Sequence, residues 1–197
     1  GLRPHNLLGS APNSMGLTKY KVQTAATAGS SSQIFQGDMV IPLGNGLVDV
    51  SAADGGDVAI LGVMNGCEYI DLDGKPRFDN HYPGTASIKS GTEATVHIYD
   101  NPHQVFEIQG DASLTNAATA QALVHSNAEG TGFGSENGST GKSIGELSVS
   151  TAGATTAGDN FRIIGIKDDF NDIDVTSAGV IFLVKLNVHF HLTATGL

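Results

Sequence analysis

Val184-Lys185-Leu186-Asn187-Val188-His189-Phe190-His191-Leu192, close to the carboxyl end of a 197-residue chain, alternates apolar and polar side chains without a break. Successive side chains of a strand point to opposite faces. This period of two therefore sets Val184, Leu186, Val188, Phe190 and Leu192 against a core. Lys185, Asn187, His189 and His191 then face water or a partner, the pattern of an antiparallel strand with one wet face.

The rest of the chain reads outward from this strand in the same way. Thr18-Lys19-Tyr20-Lys21-Val22-Gln23 alternates too, and Ile34-Phe35, Met39-Val40-Ile41 and Leu47-Val48-Asp49-Val50 are short strands. Pro42 closes its strand or puts it at a sheet edge, because it cannot donate to a ladder. Asn45-Gly46 and Asp73-Gly74 predict two-residue hairpin turns of type I′. The continuous apolar run 58–64 predicts a strand buried on both faces. Residues 67–72, 75–78, 94–99, 105–109, 143–149 and 161–166 supply further strands. Residues 114–124, rich in alanine, predict one short helix with Ser113 as its N-cap. Residues 24–32 and 126–143 read as loops, the second with almost no core residues. Roughly ten or more short strands with turns every ~8–12 residues predict an all-β fold, a β-sandwich or jelly-roll-like barrel with long loops. Residues 1–16, with two prolines and no periodicity, read as an extended N-terminal arm, and residues 17–197 as a single β domain.

Composition narrows the function. Charged residues make up only 15% of the chain and the net charge is −10, with basic residues scattered singly or in pairs. Such a chain repels phosphate backbones, so no nucleic-acid partner is expected. No apolar run reaches the ~20 residues that cross a bilayer, and no signal-like segment opens the sequence, so a soluble protein with no membrane partner is expected. The single cysteine, Cys67, excludes an intrachain disulfide and a cysteine-rich zinc site.

Chemical motifs are incomplete. Gly138-Ser139-Thr140-Gly141-Lys142-Ser143 resembles the end of a P-loop, but Glu136 stands where the first glycine belongs, and a flexible surface loop is the plainer reading. Asp71-Leu72-Asp73-Gly74 starts like a calcium loop, but Tyr82 occupies the twelfth position in place of glutamate. His189 and His191 have the spacing of metal ligands on a strand, with His97 or His103 as a third ligand; solvated or interface histidines are the plainer reading. Cys67 beside an apolar run reads as a packed thiol. Glu68, Asp71 and Asp73 could pair for glycoside hydrolysis, yet the chain has no Trp and only 6% aromatics to stack a sugar. The expectation is no enzyme, no cofactor and no bound metal.

Several stretches in order resemble the capsid decoration (cement) proteins of marine and freshwater tailed bacteriophages, cyanophages among them. These are Gly1-Leu2-Arg3-Pro4 with Leu8-Gly9-Ser10-Ala11-Pro12-Asn13, and Phe35-Gln36-Gly37-Asp38-Met39-Val40. The most specific lies between Gly62 and Gly84, with Gly66-Cys67-Glu68-Tyr69, Asp73-Gly74-Lys75-Pro76, Phe78 and Asn80-His81-Tyr82-Pro83-Gly84. Tyr99-Asp100-Asn101-Pro102, Val105-Phe106-Glu107-Ile108-Gln109, Gly141-Lys142-Ser143, Phe161-Arg162-Ile163-Ile164-Gly165 and Val184-Lys185-Leu186-Asn187-Val188-His189 complete the series. The chain departs from the family's pattern in its longer 126–137 loop and in the tail after His189. The resemblance implies a homotrimer on the outer surface of the phage head, assembled in the host cytoplasm, that clamps neighbouring major capsid proteins, with no catalytic residue.

Contacts with the shell or between copies are then expected from Leu2, Arg3, Pro4, Leu7 and Leu8 of the arm, and from Tyr82, His189 and His191. Tyr82 reads equally as a core residue. The competing reading is a virion-surface glycan- or host-binding β module that uses the 126–143 loop.

Overall fold

A computed structural model of the chain describes residues 1–9, 16–23, 33–51, 59–136, 139–167, 179–193 and 196. Among them the first strands are β1 (Arg3–Leu7), β2 (Thr18–Lys21), β3 (Ile34–Phe35), β4 (Met39–Pro42), β5 (Val48–Val50), β6 (Gly62–Ile70), β7 (Pro76–Asp79) and β8 (His81–Tyr82). There follow β9 (Thr95–Tyr99), β10 (Gln104–Gln109), a short helix α1 (Ala117–Ala122), β11 (Asn127–Ala128), β12 (Gly130–Thr131), β13 (Glu146–Leu147), β14 (Phe161–Ile166) and β15 (Ile181–Leu186).

The chain is all-β and forms a sandwich. One antiparallel sheet has the order β1-β10-β15-β14-β11, and the other the order β2-β9-β6-β4-β5 with β7 paired to β6. In β15 Phe182, Val184 and Leu186 are buried while Ile181, Leu183 and Lys185 are half-exposed, so the alternation read over 184–192 meets this strand only in Val184–Leu186. Phe106, Phe161, Ile163, Phe182 and Val184 of the first sheet meet Met39, Val63 and Tyr99 of the second in one apolar cluster. The opposite face of the second sheet is covered as well. There Val40, Met64, Cys67, Val96 and Ile98 pack with Ile34, Tyr82 and Ile88 in a second cluster, partly supplied by the small β3–β8 pair. Each fully buried large side chain contributes about 1.5–3 kcal/mol. The second sheet therefore has a core on both sides.

Several expectations are corrected. Residues 3–7 of the extended arm lie on the chain's own body as the edge strand β1, paired through its backbone to β10, with an irregularity between Pro4 and Asn6. A proline-bearing edge strand held by main-chain bonds needs no side-chain alternation, so its sequence carries no period. Leu2 is buried in the first cluster and its N–H donates to the Gly37 carbonyl at 3.0 Å. The alternation after Leu186 does not continue as a strand. The chain crosses to Ile60, whose N–H donates to Val188 O at 2.9 Å and whose carbonyl accepts from Phe190 N at 2.8 Å. Residues 190–192 then form a 3-10 turn.

Both hairpin turns differ from type I′. Gly46 and Gly74 have positive φ (79° and 82°), whereas Asn45 and Asp73 do not. Gly46 N donates to Leu43 O, and Gly74 N donates to Asp71 O, each at 2.9 Å. This is a four-residue turn ending in a left-handed glycine, which makes a bulge. The helix is also shorter than expected. Its cap is Asn116, whose Oδ1 accepts from Thr119 N at 2.9 Å, and Ser113 lies outside it.

Residues 126–143 are no loose loop where they are described. Phe133 enters the first core cluster, and residues 127–128 and 130–131 are strands. Asp38 holds this segment to the body. Its fully buried carboxylate accepts from Phe35 N (2.8 Å) and Gly134 N (3.0 Å) and is hydrogen-bonded by Ser143. Gln36 and Lys142 form a parallel bridge alongside. The 24–32 loop and residues 10–13 of the arm lie outside the described residues.

Candidate docking surface

The β6–β7 hairpin is built by its turn. Asp71 accepts from Lys75 N at 2.8 Å and from Arg77 Nε at 2.7 Å, and these bonds hold its carboxyl below the usual carboxylate range. The ladder then pairs Glu68 with Phe78, Tyr69 with Arg77 and Ile70 with Pro76. β7 pairs only with β6 among the described strands, so its other edge carries no strand there. On this hairpin Phe78 is 77% exposed and Leu72 68% exposed. An apolar, openly edged hairpin is a liability in isolation and a contact surface when covered. Sequence reading identified the hairpin but not its two exposed anchors. The available signal was the Pro76-Arg77-Phe78 run, in which a large apolar residue follows an edge-strand proline.

The residues expected to make contacts separate into three groups. Leu2, Tyr82 and His189 are buried in the chain's own cores or packing, at 3%, 0% and 1% exposure, so none of the three presents a surface. Tyr82 fills the second cluster, with its hydroxyl 3.4 Å from Thr85 Oγ1. Leu7, Leu8 and His191 gather at one end of the sandwich. Leu7 lines a crevice with Tyr99, Asp100 and Gln104, Leu8 N donates to His103 O at 2.8 Å, and His191 Nε2 lies 3.8 Å from Asp100 Oδ2. Tyr20 donates to the same Asp100 oxygen at 2.7 Å, and burial followed by this carboxylate raises its hydroxyl pKa. Arg3 and Pro4 border a groove of about 450 Å³ shared with Gln36, Asn65, Lys142 and Ser143.

His189 corrects the reading of the last strand. It caps the 190–192 turn, with Nδ1 accepting from His191 N at 3.2 Å, and its buried Nε2 has no hydrogen-bond partner among the described residues. Burial, and then the neighbouring His191, push its pKa from 6.5 down to about 4. The unfolded chain therefore binds this proton more tightly than the folded one. The resulting stability is full above the unfolded value and is lost as pH falls from 6.5 toward 4, with a ceiling of about 3 kcal/mol. Asp38 and Asp49, raised by burial, act in the opposite sense, each contribution being lost as pH rises through the folded value. Melting curves at pH 7.5 and 5.0 are expected to show a larger acid loss in wild type than in His189→Gln; equal losses would contradict it.

The side chains with chemical potential are engaged elsewhere. His97 Nε2 lies 3.3 Å from Glu68 Oε1, away from His189, and no group of three metal-ligating side chains occurs among the described residues. Cys67 Sγ donates to His81 O at 3.0 Å, and burial pushes its thiol up to about 12, far from a nucleophilic thiolate. Glu68 accepts from Lys19 at 2.6 Å, and this bond and that of His97 hold it below its ordinary value. A glycosidase acid needs the reverse shift. Among the described residues no helix is long and apolar enough to cross a membrane. The chain matches no protein-family model, no curated protein and no solved structure.

Proposed function

We propose that the chain is a structural decoration (cement) protein of a tailed-phage head. In this reading it assembles in the host cytoplasm, trimerises on the outer surface of the head and clamps neighbouring major capsid proteins, without catalysis or a cofactor. One observation carries the reading: the stretch with the most specific resemblance, Gly62 to Gly84, contains the hairpin that exposes Phe78 and Leu72. Covering each side chain with a shell subunit is worth about 1.5–3 kcal/mol. Three copies on one trimer multiply that through effective concentration. The glycan-binding alternative has less support, because Phe133 and Gly134 of the 126–143 segment are committed to the body.

The test is a rebinding assay with stripped heads. Wild type is expected to restore resistance to heat and low salt at about one copy per capsid subunit or threefold position. Phe78→Ser is expected to bind at least tenfold more weakly, the equivalent of about 1.4 kcal/mol, with an unchanged melting temperature. Heads that neither bind the wild-type chain nor gain stability from it would rule the proposal out.

A further inference from the structure

The outer face of the first sheet concentrates positive charge that the sequence disperses. The ladder sets Arg3 opposite Glu107 and Arg162 opposite Lys185, on the side facing away from Phe106, Ile163 and Val184. Lys167 and His5 reach the same face, each 2.8 Å from a Glu107 oxygen. Four of the ten Lys/Arg thus share one face, where the one carboxylate seen to pair with them among the described residues is Glu107. Like charges directly opposite each other across a ladder repel. Here nothing within the described chain offsets that: Arg162 Nε goes to the neutral Asn127 Oδ1, and neither Lys185 nor Arg3 has a carboxylate partner among the described residues. Half-exposed Ile181 and Leu183 lie between these cations. Arginine is enriched where protein surfaces meet.

We propose that this face docks a carboxylate-rich protein surface, contributed by a partner chain. The partner's carboxylates complete the Arg162–Lys185 pair and Arg3, as Glu107 completes Lys167 and His5. Phosphate polymers are disfavoured because the chain's net charge of −10 repels a long polyanion. The inference rests on the charge layout and not on the capsid reading, so either can fail alone.

The probe is a fluorescent short oligo-L-glutamate peptide, titrated at about 10 mM salt, where the Debye length is ~30 Å. Wild type is expected to bind it, and the double variant Arg3→Gln/Lys185→Gln to bind at least tenfold more weakly. Lys75→Gln/Lys89→Gln, which removes the same charge from elsewhere, is expected to bind as wild type. Unchanged melting temperatures establish that every variant is folded. Absence of wild-type binding, equal loss in both double variants, or tighter binding to a DNA duplex of matched charge would each overturn the proposal.

Discussion

Asp38→Ala is expected to lower the stability of the domain by about 3 kcal/mol. The substitution strands the N–H of buried Phe35 and that of half-buried Gly134, and deprives Ser143 of its acceptor. An orphaned buried donor costs about 1–3 kcal/mol. Against this, burying the Asp38 carboxyl carries a desolvation cost, which also raises its pKa, and its removal returns part of the loss. The orphaned donors outweigh that return, because two backbone groups cannot be moved to water without opening the segment. Urea denaturation would show a lower midpoint, and limited proteolysis would show cleavage within residues 133–143. A midpoint within about 0.5 kcal/mol of wild type would show that the clasp is dispensable.

Gly62→Val is expected to be as damaging for the opposite reason. Gly62 faces the neighbouring strand so closely that an added Cβ would meet the Tyr99 carbonyl and lie 2.7 Å from the Ile98 methyl. The obstruction is backbone of the β6–β9 ladder, so no rotamer change relieves it; the strands must part. Ordinary overpacking costs ~1–3 kcal/mol, and a clash with a central strand's main chain belongs at or beyond the top of that range. Loss of the soluble folded fraction, or a melting temperature lower by ten degrees or more, is the expected result, with Gly62→Ala milder.

Those two sites show what was legible in the sequence. The period of two at Val184–Leu186 and the two hairpins follow from local chemistry, and they point to an all-β sandwich or barrel before any contact is known. The position of β1 was hidden, because a proline-bearing edge strand is held by backbone pairing with residues about a hundred positions away. His189 was placed on the wrong face, because its burial depends on Ile60, a partner with no local signature. The basic face was invisible for the same reason: Arg3 and Arg162 share it only through β10 and β15. Nothing local to Asp38 announces its role, which depends on residues 134 and 143 arriving beside it. Phe78 read as one more strand residue, since alternation alone does not tell a core from a partner.

The sheet with a core on each side also governs how the molecule comes apart. Met39, Val63 and Tyr99 belong to the first cluster, while Val40, Met64 and Ile98 belong to the second, on alternate residues of the same strands. Neither cluster can melt without tearing the wall it shares with the other. The sandwich therefore has no weak half to shed, and its amides in β6 and β9 are released from protection only by whole-molecule opening.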